Sequence, residues 1–163
     1  GFATYYAALW LRHADGDSAF QAEMRRRAES VFRSAATNRP ILDTLATDLM
    51  GLLNSNNYPK GAWVLHTLRG LMGDSAYHAG IREWYATYRD GSALSADFSV
   101  LMSRAAGRDL EWYFRQALLQ PAVDSLHLLR RREVARLERQ QQRLLARDHA
   151  VRGVHRRRRV RRR

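Results

Sequence analysis

The sequence predicts an all-α fold of about six short helices followed by a basic tail. Apolar residues recur at three- and four-residue spacing through most of the first 127 positions, and short Gly, Asp or Pro breaks divide them. No strand-like alternation of any length interrupts this pattern. The absence of an internal repeat of 20 to 50 residues argues against a helical solenoid.

Residues 2–12 carry Phe2, Tyr5, Tyr6, Leu9, Trp10 and Leu11 around the full circumference, the pattern of a helix buried on all sides. After the Asp15-Gly16-Asp17 turn, residues 18–36 read as a surface helix. Phe20, Met24, Ala28, Val31 and Phe32 share one side of it, with Arg25 to Arg27 outward. Pro40 ends that helix or follows its end. Further helical patterns cover 42–53, the segment after Pro59, 75–88, 95–106 and 110–119. Gly73-Asp74 and Gly107-Arg108-Asp109 each put a helix-ending Gly ahead of an Asp suited to cap the next helix.

The formal net charge of +12 has one source. Residues 1–127 hold twelve Arg and Lys60 against thirteen Asp and Glu, whereas residues 128–163 hold fifteen Arg against three acidic residues. The chain therefore divides into a neutral helical body over 1–127 and an Arg-rich tail over 128–163, and global basicity says nothing about the body. With no cysteine there is no disulfide framework and no thiolate metal site. No run of 18 apolar residues suggests a membrane span.

Three readings of the tail stand side by side. Its arginine runs are of the kind that a GC-rich gene read out of frame near residue 128 would give. Val134, Leu137, Leu144, Leu145 and Val151 would form a basic amphipathic helix that docks on a partner or a membrane surface. Alternatively, the arginines contact nucleic-acid phosphates. The tail has no aromatic residue to stack a base, so such binding would be electrostatic and blind to sequence.

Three segments of the body share a likeness. The chain opens Gly1-Phe2-Ala3-Thr4-Tyr5-Tyr6; Asn54-Ser55-Asn56-Asn57-Tyr58-Pro59-Lys60-Gly61-Ala62-Trp63-Val64-Leu65-His66-Thr67-Leu68-Arg69 follows; then Gly107-Arg108-Asp109-Leu110-Glu111-Trp112-Tyr113-Phe114-Arg115-Gln116, closing at Gln120-Pro121. In this order they resemble zinc aminopeptidases of the membrane-alanyl-aminopeptidase type, the gluzincins, and the likeness covers about residues 1–127. It implies the helical C-terminal subdomain of a thermolysin-like metallopeptidase catalytic domain. The first segment resembles the stretch just after the family's third zinc ligand, a glutamate, and the second its Tyr-x-Lys-Gly-Ala motif.

The resemblance implies that Tyr58 is the tyrosine that hydrogen-bonds the tetrahedral intermediate. Independently of it, Pro59 favours a first helical turn and disfavours helical backbone at Tyr58, which puts the phenol at a helix N-terminus suited to a developing oxyanion; without the resemblance, a ring packed in a loop is the more ordinary reading of the same residue. The resemblance also implies that Phe2, Ala3, Thr4 and Tyr5 lie on the ligand helix and shape the pocket floor, a structural role in which Phe2 and Thr4, with Lys60, are the substrate-pocket candidates. Lys60, the only lysine, matches the family's lysine; as a first-turn residue it reads as a solvated side chain.

A peptidase of this kind needs two His and a Glu on zinc and a second Glu as base, normally announced by His-Glu-x-x-His. That pattern is absent, and no histidine has an i+4 His partner. The expectation is that zinc belongs to the intact relative, that this chain contributes no metal ligand, and that alone it is inactive on the relative's peptide substrate. The alternative is a non-enzymatic helical module that binds nucleic acid or an anionic surface through its tail.

Overall fold

The computed structural model describes residues 1–48 and 50–121, apart from the side chains of residues 36 and 37. Every reading made of the Arg-rich tail lies outside the described residues. Within them the architecture is all-α, with α1 (Phe2–Asp15), α2 (Asp17–Arg33), α3 (Gly61–Met72), α4 (Asp74–Tyr88), α5 (Ser95–Ala106) and α6 (Glu111–Leu119). A long connection between α2 and α3 contains short 3-10 turns at Ala35–Asn38 and Met50–Leu52 and one π turn at Asn56–Lys60.

Helix α3 is the axis of the packing, because α1, α2 and α4 all lie against it. Its Ala62, Leu65 and Leu68 are buried beside Tyr5 and Ala8 of α1, Phe20, Met24 and Val31 of α2, and Tyr77 of α4. Burying a side chain the size of Leu65, Leu68, Phe20 or Met24 contributes about 1.5–3 kcal/mol, so this cluster is a main source of the assembly's stability. Two polar ties fix the angles: the Trp63 indole donates to the Met24 carbonyl (3.0 Å), and the Tyr113 hydroxyl of α6 donates to the Val64 carbonyl (2.6 Å) while meeting Thr67 Oγ1 (2.6 Å).

The α3–α4 corner turns at Gly73, whose φ of +82° lies in the region that side chains other than glycine rarely adopt. Asp74 starts α4, but its carboxylate does not cap it. Both carboxylate oxygens instead take the guanidinium of the buried Arg69, at 2.8 and 2.9 Å. At the other corner Asp109 behaves as its sequence suggests and accepts the Glu111 N–H (2.8 Å) ahead of α6.

Two expectations about elements do not hold. The described residues of 42–53 form no α-helix. Asp43 accepts the Leu45 N–H and Asp48 those of Met50 and Gly51, so local side-chain bonds replace the helical ladder, and the Leu42 N–H is spent on the Leu118 carbonyl of α6. Helix α1 is not buried on all sides either. Tyr5 and Ala8 are fully covered, but Phe2, Tyr6 and Trp10, spaced by four, form an exposed stripe on the opposite side. In α2, Phe20, Met24 and Val31 are buried as expected, while Phe32 is 42% exposed, and Arg27 turns inward to Glu23 while Arg25 and Arg26 face solvent.

Candidate functional site

The Tyr58 turn is built by its own asparagines. The Asn54 carbonyl accepts the N–H groups of both Asn57 and Tyr58 (3.2 Å each), and Asn54 Oδ1 accepts that of Asn56 (2.8 Å). The Lys60 N–H then reaches back five residues to the Ser55 carbonyl (3.0 Å), which makes this one turn of π-helix. The wider π turn accommodates Pro59, which has no N–H to donate and whose ring would crowd the carbonyl one turn earlier in an α-helix. Tyr58 therefore sits inside a helical turn that leads into α3, a correction to the expectation that proline would keep helical backbone off that residue. Its ring is 47% exposed.

Beside this turn lies the start of α1. Gly1 N donates to the Asn57 carbonyl at 2.7 Å. The Gly1 and Gly61 backbones touch, since a Cβ added at Gly61 would stand 2.9 Å from Gly1 Cα. Only a pair of glycines allows the two helix N-termini to approach this closely. The start of α1 thus lies against the turn that carries Tyr58.

The other candidate residues divide. Phe2, one residue into α1, is 42% exposed and meets Phe98 of α5 edge to face, with ring centroids 5.3 Å apart. Thr4 is half-buried on the same helix. Lys60 is not a solvated side chain: it is 1% exposed and its ammonium donates to the Arg39 carbonyl at 3.2 Å. Burial without a carboxylate partner pushes its pKa down to about 8. Sequence reasoning missed Asn56, which is 4% exposed and donates to the Arg39 and Pro40 carbonyls at 2.9 Å each. The one signal for it was the run of asparagines ahead of a proline.

Among the described residues no group of three His, Cys, Asp or Glu side chains could hold a metal ion. His66 faces the Tyr5 hydroxyl (3.2 Å) in an aromatic cluster with Phe20 and Trp63, and His13 lies against Trp10. Burial, the largest effect on His78, lowers its pKa. No helix among the described residues is long and apolar enough to cross a membrane.

Comparison with curated proteins and with solved structures gave no match. The family description "Peptidase family M1 domain" matches residues 1–116, a span that includes α1, the Tyr58 turn and most of α6. An all-helical body of this kind fits a helical subdomain of the catalytic domain of that metallopeptidase family. With 116 of its 163 residues inside the match, the chain belongs to peptidase family M1.

Proposed function

We propose that this chain supplies the oxyanion-stabilising tyrosine of a zinc aminopeptidase that removes N-terminal residues from peptides, and that it contributes none of the zinc ligands. The observation that carries this reading is the contact between Gly1 and the Tyr58 turn. In the family that the sequence resembles, a metal-binding glutamate stands immediately ahead of the residue matching Gly1. A ligand joined there would lie beside Tyr58, where both are needed.

In this role the Tyr58 hydroxyl donates a hydrogen bond to the carbonyl oxygen of the scissile peptide as that oxygen gains negative charge. The N-terminus of α1, against the same turn, adds a favourable field for that charge. Half-exposure of the ring leaves the hydroxyl accessible to a substrate, and the turn beneath it limits its movement. Such a donor contributes about 3–4 kcal/mol to a transition state, well short of what peptide hydrolysis requires, so Tyr58 acts only alongside other groups.

The test assays zinc content and hydrolysis of an alanyl reporter by the purified chain, alone and co-produced with a family segment that carries His-Glu-x-x-His. We expect no turnover alone, and in the assembled pair a fall in kcat of at least about a hundredfold on Tyr58→Phe with KM little changed. Stoichiometric zinc with turnover in the chain alone, or full activity of the Tyr58→Phe pair, would overturn the reading.

A further inference from the structure

The π turn is held from beneath in an unusual way. At one end Asn56 Nδ2 donates to the Arg39 and Pro40 carbonyls; at the other, Lys60 Nζ donates to the same Arg39 carbonyl. Tyr58 lies between these two residues and is the only one of the three turned outward. We propose that Lys60 and Asn56 are positioning residues for Tyr58, gripping one backbone carbonyl from the two ends of its turn and so setting where the phenol stands. The inference rests on the reading that Tyr58 carries the chemistry.

Stability alone is a poor explanation for the arrangement. Among the described residues Lys60 has no carboxylate partner and Asn56 Oδ1 no hydrogen-bond partner, though both are buried. Each is a cost that an apolar side chain of similar size would avoid. What the pair provides is directional. A methionine at position 60 would fill the space without gripping the carbonyl, and the turn would keep only its internal bonds. The Arg39 segment is itself held by the ion pair to Asp43 and by the Leu42 bond to α6, so the gripped carbonyl is a fixed point.

The experiment compares wild type, Lys60→Met and Lys60→Cys in the full chain. The sequence has no cysteine, so the single thiol of Lys60→Cys can be alkylated with 2-bromoethylamine while unfolded, which restores an ammonium of nearly the same reach. Amide hydrogen exchange at Tyr58, position 60 and Gly61 reports opening of the turn, and the ring carbons of labelled Tyr58 report its environment. For Lys60→Met we expect about tenfold faster exchange at those three amides and a shifted Tyr58 resonance. Exchange in α4 and α5 should not change, and the melting temperature should not fall. The alkylated Lys60→Cys should return both readouts to wild type.

Unchanged turn amides would overturn the proposal. So would acceleration across all helices with a lowered melting temperature, which marks a merely structural lysine, or failure of the restored ammonium to rescue. If Lys60→Met does not fold, Asn56→Ala keeps the cation and cuts the other grip, and the same three amides must accelerate. None of these readouts uses turnover, so the inert outcome of Tyr58→Phe that would sink the proposed function is read separately.

Discussion

Replacing Gly61 with alanine sets two opposing effects of known size against each other. Gly61 is helical, with φ −59° and ψ −35°, at the start of α3, so intrinsic propensity alone favours alanine by up to about 1 kcal/mol. The new Cβ would stand 2.9 Å from Gly1 Cα and 3.4 Å from Gly1 N, against an ordinary carbon contact of about 3.5–4.0 Å. Both neighbours are backbone atoms, so relief requires the first turn of α1 to retreat rather than a side chain to rotate. Overpacking of this kind costs about 1–3 kcal/mol, and the retreat also stretches the 2.7 Å bond from Gly1 to the Asn57 carbonyl. The expected net result is a loss of about 1–2 kcal/mol, read as a fall of several degrees in the melting temperature followed by circular dichroism. Gly91→Ala is the control: a Cβ at Gly91 meets nothing within 4 Å, and stability should hold or rise slightly. A Gly61→Ala chain at least as stable as wild type, with the resonances of Asn57 and Tyr58 unmoved, would refute the claim that the two helix N-termini are in contact.

Three further outcomes follow from the polar groups. Tyr113→Phe removes the hydroxyl shared by Val64 and Thr67 between α6 and α3, and should lower the urea midpoint by the equivalent of about 1–2 kcal/mol without changing the slope. Asp74→Ala leaves the buried Arg69 guanidinium without its carboxylate and should cost about 1–3 kcal/mol; since the Arg69 contact holds the Asp74 carboxyl below its usual range, wild-type stability should fall as acid protonates it and the variant should lack that step. Lys60 titrates near 8 when folded and near 10.5 when unfolded, so the unfolded state binds more protons between those values and stability should climb with pH from about 8, by up to ~3 kcal/mol, until unfolded tyrosines ionise near pH 10 while burial keeps Tyr77 and Tyr113 protonated. Chemical denaturation from pH 7 to 10 checks this, and Lys60→Met should flatten the climb.

The helices after Pro59 were legible because each carries its own punctuation, such as Gly73 at the end of α3 and Gly107 followed by Asp109 before α6. Residues 42–53 have the same apolar spacing, but Asp43 and Asp48 bind the nearest backbone N–H groups, and a spacing rule does not weigh that competition. In α1 the all-round apolar pattern was real, yet Tyr6 and Trp10 remain exposed because burial depends on which partners are present, not on the helix alone. Lys60 was misplaced for a related reason. A lysine next to a proline at a helix start is normally solvated, and it is the path of distant parts of the chain against this turn, α2 among them, with the Arg39 carbonyl as acceptor, that puts it inside.

That path changes what the Tyr-x-Lys-Gly-Ala pattern means. Successive residues in a helical turn are rotated by roughly 100°, so two side chains separated by one residue point to nearly opposite sides. Tyr58 out therefore requires Lys60 in, and the lysine must find a buried acceptor, which the Arg39 carbonyl provides. One step further round, position 61 faces the start of α1 and must be glycine for the 2.9 Å approach; one more, and Ala62 is fully buried in the core. In this fold the pattern comprises one half-exposed tyrosine, a buried lysine, a glycine against the start of α1 and a buried alanine. The chemistry of the segment should then be sensitive to Lys60, Gly61 and Ala62 through the position of Tyr58, and not through any contact of their own with substrate.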